Sequence, residues 1–441
     1  MIEQKSSPGQ GRLSDLKEKQ KKALLVGTYL NAKAKPECEQ LLEELKSLGE
    51  TYGLETAVIV PCPIRAIEAA TFIGSGKVEE IKLLAEENGC SVVIFDDEIS
   101  PQQQRNLEKI LGRVVIDRTE LILGVFAQRA KTKEARIQVE LAALRYQMPR
   151  LKRLWTHLSR QRSGGASGGF VKGEGEKQIE IDRRILKREV EDLQVELKEV
   201  KKQREIQRRQ RARSKIPTFA IIGYTNVGKS TLMRALTDAD VFIEDKLFAT
   251  LDTTTRKYTL PNRQSILLID TVGFIRKIPH LLVAAFKSTL EEAVQADILL
   301  HLIDTSSPAA EMQAQATFDV LKELKALNRP IITVLNKVDQ CQDKGRIQRL
   351  KIRYTKTVEI SALQKTGFDA LLEKMMKEIS LLRKIVKLRI PQSDYAIVSE
   401  VRKEGRVISC EYEENDVLLE VEIPLQLERE VAPFLVREIT D

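Results

Sequence analysis

The sequence predicts a multidomain α/β protein, and three observations lead to that fold class. Short apolar runs alternate with helical patterns over residues 22–119 and again over 216–383. A glycine-rich motif at residues 223–230 stands between a strand-like run and a helical pattern. Between the two α/β stretches, residues 120–215 change to heptad periodicity. The predicted fold is therefore a small N-terminal α/β domain, an antiparallel helical hairpin with a Gly-rich tip, a doubly wound P-loop sheet and, over residues 384–441, a small C-terminal α+β domain.

Length and composition indicate a globular protein of several domains. The chain has 441 residues, of which 42% are hydrophobic and 31% charged, which suits about three domains. No run approaches the ~18 apolar residues that a membrane span needs. Residues 1–21 are polar, so we expect disorder there and no secretory signal. The five cysteines are scattered without C-x-x-C spacing, which argues against zinc and disulfides and predicts a cytoplasmic protein.

One glycine-rich segment of the N-terminal domain has two readings. Residues 74–77 (GSGK) resemble part of a phosphate-binding loop but lack the first glycine at the right spacing. We predict a loop that precedes a helix there, with nucleotide binding as the less favoured alternative.

Two heptad seams predict an antiparallel pair of helices. The first seam consists of Ile137, Leu141, Leu144, Met148, Leu151, Trp155 and Leu158. Pro149 lies inside it and should kink or break the helix. The second seam consists of Leu186, Val190, Leu193, Leu197 and Val200. Residues 163–176 between them are so rich in glycine that we predict no helix there, and residues 160–176 should form the flexible tip of a hairpin.

Positive charge is concentrated in this hairpin, although the net charge of the whole chain is only +8. Basic residues near the tip are Arg150, Lys152, Arg153, Arg160, Arg162 and Lys172. The stretch 198–215 near the base is basic at about every second position and holds only two glutamates. A solvated charged linker is the ordinary reading of such a run. Because both ends of the hairpin are basic and its tip is bare backbone, we favour polyanion binding, above all RNA.

Residues 223–230 fit the phosphate-binding pattern G-x-x-x-x-G-K-[ST]. A strand-like run precedes the motif and a helical pattern follows it, as a P-loop requires. Gly223 and Gly228 allow the backbone to wrap a phosphate with its N–H groups pointing inward. Lys229 should reach the β- and γ-phosphates, and Ser230 should hold Mg²⁺.

A second motif selects the base. Asn336–Asp339 (NKVD) ends an apolar run, where a loop would reach the base of a bound nucleotide. The Asp339 carboxylate can accept both N–H groups on the N1/N2 edge of guanine, whereas adenine offers no such pair. Ser361–Leu363 supplies the next loop on the base side. In this order the motifs predict GTP rather than ATP.

The segments between these motifs should sense the γ-phosphate. Asp270 should reach Mg²⁺ through water, and the Gly273 N–H should contact the γ-phosphate. A threonine in the stretch 248–255 should close over the metal, and the candidates are Thr250, Thr253, Thr254 and Thr255. Phe274 stands where many GTPases have a glutamine that orients the attacking water, so we predict slow unaided hydrolysis. His280 could substitute, but a surface or helix-start histidine is the favoured reading.

Longer stretches resemble the HflX family of GTPases. Residues 223–232 (GYTNVGKSTL), 270–280 (DTVGFIRKIPH) and 336–339 resemble its GTPase domain. Residues 117–151 and 175–184 resemble its N-terminal and hairpin segments. The tip differs from the usual family sequence, and Thr253 stands where the family usually has proline, which predicts a more mobile loop.

The resemblance implies a cytoplasmic, ribosome-associated GTPase that binds the large ribosomal subunit and splits or rescues stalled or stressed ribosomes. It implies that Thr250 is the threonine that, with Ser230, binds Mg²⁺, and that the hairpin tip (160–176) reaches toward the peptidyl-transferase centre. We expect a monomer whose slow GTP hydrolysis is stimulated by ribosomes. The alternative is a GTP-dependent binding switch for a protein or membrane-associated complex. An RNA-modifying enzyme is less favoured, since no catalytic constellation lies outside the P-loop domain.

The predicted site can be stated residue by residue. The catalytic residues are Lys229, Thr250 and Gly273, and the metal ligands are Ser230 and Thr250, with Asp270 acting through water. The residues expected to contact GTP are Gly223, Tyr224, Thr225, Asn226, Val227, Gly228, Lys229, Ser230, Phe248, Ala249, Thr250, Leu251, Asp252, Asp270, Thr271, Val272, Gly273, Asn336, Lys337, Val338, Asp339, Ser361, Ala362 and Leu363.

Overall fold

The computed structural model describes residues 21–150, 172–213, 216–237, 247–248, 250–277, 295–424 and 427–436. The strands of these residues form three sheets, of four, six and three strands. Among the helices described, none combines the length and the apolar character that crossing a bilayer requires.

The first sheet is wholly parallel, with strand order β2-β1-β3-β4. Its strands are β1 (Lys22–Tyr29), β2 (Glu55–Pro63), β3 (Val92–Phe95) and β4 (Val114–Asp117). The accompanying helices are α1 (Lys35–Tyr52), α2 (Ser75–Glu87), α3 (Pro101–Leu111) and α4 (Arg118–Arg129). All four residues of β3 are buried, because helices cover both faces of the sheet. Gly74 precedes α2 as its N-cap, so the GSGK segment opens a helix.

Two helices follow that pack against each other in opposite directions. They are α5 (Lys133–Gln147) and α6 (Lys172–Arg213). Near the start of α5, Lys133 pairs with Glu196 at 2.6 Å, and near its end Leu144 packs against Leu186. A 3-10 turn over Met148–Arg150 ends α5 where Pro149 was predicted to interrupt it. The seam residues Leu151, Trp155 and Leu158 lie outside the described residues.

Two predictions for the hairpin are wrong. Residues 172–176 of the predicted tip loop are helical, since α6 begins at Lys172. Two glycines cost a helix about 1 kcal/mol each, which a helix of 42 residues tolerates near its end. Residues 160–171 of the tip lie outside the described part.

Arg150 is not available to RNA as predicted. Its side chain is buried, its guanidinium lies 3.3 Å from the Asp117 carboxylate, and it donates to the Ile99 carbonyl at 2.8 Å. Arg150 therefore ties the end of α5 to the carboxyl edge of the first sheet.

The second sheet has the order β10-β9-β8-β5-β7-β6, with β6 antiparallel to β7 and the other pairs parallel. Its strands are β5 (Thr218–Gly223), β6 (Thr254–Thr259), β7 (Ser265–Asp270), β8 (Ile298–Asp304), β9 (Ile331–Asn336) and β10 (Thr357–Glu359). Its described helices are α7 (Lys229–Thr237), α8 (Ala310–Glu323), α9 (Lys344–Arg353) and α10 (Phe368–Leu381). Strand β5 occupies a central position, so the loop after it opens at the carboxyl edge of the sheet, where ligands bind in such folds.

The third sheet is antiparallel, with strand order β11-β13-β12. Its strands are β11 (Arg383–Pro391), β12 (Arg406–Glu413) and β13 (Asp416–Pro424), and helix α11 (Tyr395–Glu404) covers its apolar face. Helix α12 spans only Glu428–Val431 and passes into a 3-10 turn, because Pro433 cannot continue an α-helix.

Candidate nucleotide-binding site

The loop between β5 and α7 depends on glycine at two positions. A Cβ on Gly223 would lie 2.5 Å from the Leu302 carbonyl oxygen, and one on Gly228 would lie 2.4 Å from the Asn336 amide nitrogen. Gly228 also has φ of 93°, in the left-handed region. Neighbouring strands and loops therefore press directly on the backbone of this loop, so neither position can carry a side chain.

Lys229 is the first residue of α7 and is buried beneath the loop. Its ammonium group donates to the Tyr224 carbonyl at 2.7 Å and to the Gly223 carbonyl at 3.3 Å. Burial lowers the pKa of Lys229 to about 8, and the nearby Asp270 carboxylate opposes that shift. The cation is thus held under the loop backbone, where a bound anion would stabilise its charge.

Three oxygen-bearing side chains converge beside Lys229. The hydroxyls of Ser230 and Thr250 are 2.7 Å apart and lie 2.8 and 3.2 Å from one Asp270 carboxylate oxygen. The other Asp270 oxygen is buried and has no hydrogen-bond partner among the described residues. Burial raises the pKa of Asp270, against the lowering effect of Lys229 and both hydroxyls. Hard divalent cations take such oxygen donors as ligands.

The structure brings Thr250, of the four candidate threonines, to this oxygen cluster. The Thr253 hydroxyl accepts a hydrogen bond from Arg204, and Thr254 and Thr255 are the first residues of β6. Ala249 lies outside the described residues.

The segment that follows β7 lies directly against the phosphate loop. The Phe274 carbonyl accepts from the Thr225 N–H at 2.7 Å, and the Phe274 N–H donates to the Gly223 carbonyl at 3.0 Å. A Cβ on Gly273 would lie 2.8 Å from the Thr225 Cα, so only glycine fits there. The Phe274 side chain is buried in the main core. His280 lies outside the described residues.

The side chain of Asn336 joins the loops at the other end of the predicted nucleotide site. Its amide nitrogen donates to the Val227 carbonyl at 2.7 Å, and its amide oxygen accepts from the Ala362 N–H at 2.9 Å. Lys337 pairs with Asp304 at 2.8 Å. Asp339 and Leu363 are both exposed. Asn336 therefore joins the loop after β9 to the phosphate loop and to the loop after β10.

Sequence reasoning missed a group of acidic residues, Glu44 of α1 and Asp96 and Asp97 after β3, which contact the phosphate loop and the segment after β7. The buried Tyr224 hydroxyl donates to Glu44 and accepts the Arg276 N–H at 2.6 Å. The Lys277 ammonium lies 2.7 Å from Asp96 and 2.6 Å from Asp97. No local motif marks these acidic residues, because Glu44 and Tyr224 are 180 positions apart in the chain.

Arg118 completes this network. It pairs with Asp96 at 2.6 Å and with Glu44, and it donates to the Arg276 carbonyl at 3.1 Å. Its guanidinium is almost fully buried, so each of its charged partners matters for its stability in the interior. The segment after β7 is thus joined to the carboxyl edge of the first sheet through both backbone and side chains.

Three family models match consecutive parts of the chain. They are described as GTP-binding GTPase N-terminal (residues 39–127), GTP-binding GTPase middle region (129–211) and 50S ribosome-binding GTPase (218–337). A GTPase HflX from Chlamydia pneumoniae is 49% identical over 94% of this chain and 88% of its own length.

Two further proteins illustrate the range of similarity. A GTPase HflX from Caldanaerobacter subterraneus subsp. tengcongensis is 40% identical over 96% of each chain. A solved structure of a GTP-binding protein from Sulfolobus solfataricus in complex with GDP is 27% identical, covers 82% of this chain and 99% of that one, and has a TM-score of 0.43. With close relatives along nearly its whole length and a phosphate loop joined to an N-K-x-D motif, the chain belongs to the HflX family of GTPases and hydrolyses GTP.

Proposed function

We propose that this GTPase binds the large ribosomal subunit in its GTP state and splits or rescues stalled or stressed ribosomes. The observation that carries the nucleotide part is the convergence of Ser230, Thr250 and Asp270 beside Lys229. The ribosomal part is supported by the description of the matched family model as a 50S ribosome-binding GTPase. It is also supported by exposed lysines on α6, namely Lys198, Lys201 and Lys202.

The oxygen cluster fits Mg²⁺. Ser230 and Thr250 would be its direct protein ligands, and the unpartnered Asp270 oxygen would accept from a water in its shell. When bound, Mg²⁺ neutralises charge on the β- and γ-phosphates. Lys229 and the loop N–H groups stabilise the same charge, the Gly273 N–H faces the γ-phosphate, and Asp339 accepts from guanine.

Slow unaided hydrolysis follows from Phe274. Its side chain is buried and carries no group that can orient a water, so this position contributes nothing to the attack on the γ-phosphate. We infer that the ribosome supplies or rearranges the missing group. Hydrolysis then opens the Thr250 segment and releases the factor.

The two antiparallel helices would be the arms of a hairpin whose tip lies within residues 160–171, pointing toward ribosomal RNA. The basic stretch 198–215 is not free throughout, because Arg204 is engaged by Glu134 and Thr253. A cytoplasmic location fits the five cysteines, all of which are free thiols. The monomeric state and the four domain boundaries stay predictions.

Steady-state GTP hydrolysis with and without large ribosomal subunits tests this function. Slow basal turnover with strong stimulation is expected. Fast turnover without stimulation would mean that a group of this chain orients the water, and the ribosomal role would fall. The alternative, a switch for a protein complex, is distinguished by salt: binding through many phosphates weakens steeply as salt rises, whereas an apolar interface does not.

A further inference from the structure

Residues 247–248 and 250–253, on either side of Ala249, are anchored outside the second sheet, and we call these described residues the Thr250 loop. Before Thr250, the Leu247 N–H donates to the Thr51 hydroxyl at 3.3 Å. The Phe248 ring meets the Phe126 ring edge-on with centroids 4.6 Å apart. Phe248 has φ of 54°, a left-handed conformation that bulky residues rarely adopt. The packing of its buried ring therefore stabilises a left-handed backbone conformation that is unfavourable by itself.

After Thr250, the anchor is a carboxylate at the start of a helix. Asp252 accepts from the N–H groups of Lys131 and Thr132, at 3.0 and 3.1 Å, and from the Thr132 hydroxyl. Thr132 is the N-cap of α5 and also accepts from the Ala135 N–H. Negative charge is favoured at this position, because the unpaired N–H groups and the helix dipole both point toward it.

The second helix of the antiparallel pair holds the next residue. Arg204 of α6 donates to the Thr253 hydroxyl at 2.8 Å and, through its other nitrogen, to Glu134 of α5 at 2.8 Å. The planar guanidinium thus joins α5, α6 and the Thr250 loop at a single point. Both helices contact the loop at their base, at the end opposite Leu144 and Leu186.

Thr250 lies between these two anchors, and its hydroxyl reaches Ser230 and Asp270. Only Leu251 separates it from Asp252, so at most about 7 Å of chain joins them. Movement of Asp252 away from α5 would therefore carry the Thr250 hydroxyl away from the oxygen cluster. Both carboxylate oxygens of Asp252 accept hydrogen bonds from Lys131 and Thr132 at the start of α5. Asp252 would therefore act by positioning Thr250 and not by contacting the metal itself.

We propose that Asp252 and Arg204 are positioning residues for GTP hydrolysis, which hold Thr250 at the metal site from the base of the α5–α6 pair. The proposal rests on the proposed role of Thr250 as a ligand of Mg²⁺. The proposal also couples the helices to the nucleotide. A partner that binds the base of the α5–α6 pair and holds it in place would favour binding of GTP. Bound GTP would equally favour binding of that partner, because coupling between two binding events is reciprocal.

The test compares Asp252→Ala and Arg204→Ala with two reference variants of the full chain. Arg184→Ala is the matched control for Arg204→Ala, since Arg184 is an exposed arginine on the same helix and donates to Glu180 at 2.7 Å. Thr250→Ala removes the hydroxyl that the anchors are proposed to position. Affinities for GDP and for a non-hydrolysable GTP analogue are measured over a range of Mg²⁺ concentrations, and melting temperatures check that each variant is folded.

Asp252→Ala and Arg204→Ala should each weaken binding of the GTP analogue about fivefold and raise its Mg²⁺ requirement. Binding of GDP should change less than about twofold, since this threonine contacts the metal only while the γ-phosphate is present. Asp252→Asn should recover part of the loss, because its amide oxygen still accepts from the N–H groups of Lys131 and Thr132. Arg184→Ala should match the parent protein for both nucleotides.

Equal effects of the anchor variants on GDP and on the analogue, or affinities that match those of Arg184→Ala, would overturn the proposal. If Thr250→Ala weakens the analogue but both anchor variants do not, the metal role of Thr250 stands and only the anchors are wrong. If Thr250→Ala also has no effect, the metal assignment fails and the anchor proposal falls with it. Should Asp252→Ala be unfolded, Arg204→Ala and Asp252→Asn carry the test.

Discussion

The predicted guanine end of the nucleotide site (the guanine end) is held by the second sheet and its own loops. The predicted phosphate end (the phosphate end) takes many of its supports from the N-terminal half of the chain. At the guanine end, Asn336 bonds Val227 and Ala362, and Lys337 pairs with Asp304. At the phosphate end, Tyr224 bonds Glu44, and Lys277 bonds Asp96.

This difference suggests that one end of the site recognises the base and the other end responds to the γ-phosphate. Contacts within one sheet persist whichever nucleotide is bound, so the guanine end is formed in advance. Contacts to another sheet and to the α5–α6 pair join separate elements of the fold, and we expect them to break together when the Thr250 loop moves. Mutations at the guanine end should therefore change affinity, and mutations at the phosphate end should change turnover and the discrimination between GTP and GDP.

The largest effect is expected for Lys229→Ala. It removes a buried cation that faces the phosphate loop, so the rate of GTP hydrolysis should fall about a hundredfold or more. Steady-state turnover at saturating GTP measures this, with Lys257→Ala, an exposed lysine on β6, as the control. Hydrolysis at the parental rate would rule out the assigned phosphate site.

Asp339→Asn should have the next largest effect, and on a different parameter. Asparagine cannot accept from both guanine N–H groups with one side-chain oxygen and leaves its own N–H group facing the base. GTP affinity should fall about tenfold to a hundredfold, while the turnover of bound GTP stays within about twofold. Separate determination of kcat and KM checks the split. A large fall in kcat with unchanged KM would show that the guanine end also controls turnover, contrary to this prediction.

The local parts of the site could be predicted from the sequence, because a P-loop and N-K-x-D each act through residues within a few positions of one another. Thr250 could not be chosen among four threonines by local pattern alone. The choice depends on Arg204, which engages Thr253, and on the strand that takes up Thr254 and Thr255. The alternation of apolar runs over residues 22–119 and 216–383 predicted the two α/β sheets, because such runs mark the presence of strands well and their ends poorly.

Features that depend on distant partners escaped prediction. In the sequence, Arg150 belongs to a group of basic residues near the predicted tip. In the structure it is buried and donates a hydrogen bond to Asp117, which lies 33 positions earlier in the chain. Glu44, Asp96 and Arg118 carry no motif, because their role arises only when the first sheet meets the segment after β7. The helix over residues 172–176 was missed for another reason. The prediction considered only the glycines of this segment and not the stabilisation that the long helix after it provides.

A smaller effect, on stability, is expected for Lys277→Ala. Lys277 has φ of 52° and pairs with two carboxylates, so its loss leaves Asp96 with only Arg118 as its ion-pair partner in the described structure. The free energy of unfolding should fall by about 1–2 kcal/mol, measured by urea denaturation. Lys325→Ala is the matched control, since Lys325 is exposed and also has a left-handed backbone, with φ of 57°. Equal losses in both variants would assign the effect to backbone strain instead of to the contact between the two sheets.

The smallest effect on function, and a distinct effect on pH dependence, is expected for His301 in β8. Its ring is fully buried and meets the stacked rings of Phe318 and Tyr354 edge-on, with centroids 4.9 and 6.0 Å away. Neither nitrogen has a hydrogen-bond partner among the described residues. Burial lowers the pKa of His301 to about 3 from the usual 6.5.

The pKa of His301 is lower in the folded chain than in the unfolded chain. As the pH falls, His301 therefore becomes protonated near pH 6.5 in the unfolded chain but only near pH 3 in the folded chain. The contribution of the neutral ring to stability is therefore complete above pH 6.5 and is lost as the pH falls, by at most about 1.4 kcal/mol per pH unit. His301→Phe should flatten the decline in unfolding free energy between pH 6.5 and 4 and leave GTP hydrolysis at pH 7.5 within about twofold. Since His301 pairs with Ile222 and Thr333 in the centre of the sheet that carries both ends of the site, a changed GTP affinity would mean that the guanine end is less self-contained than its hydrogen bonds indicate.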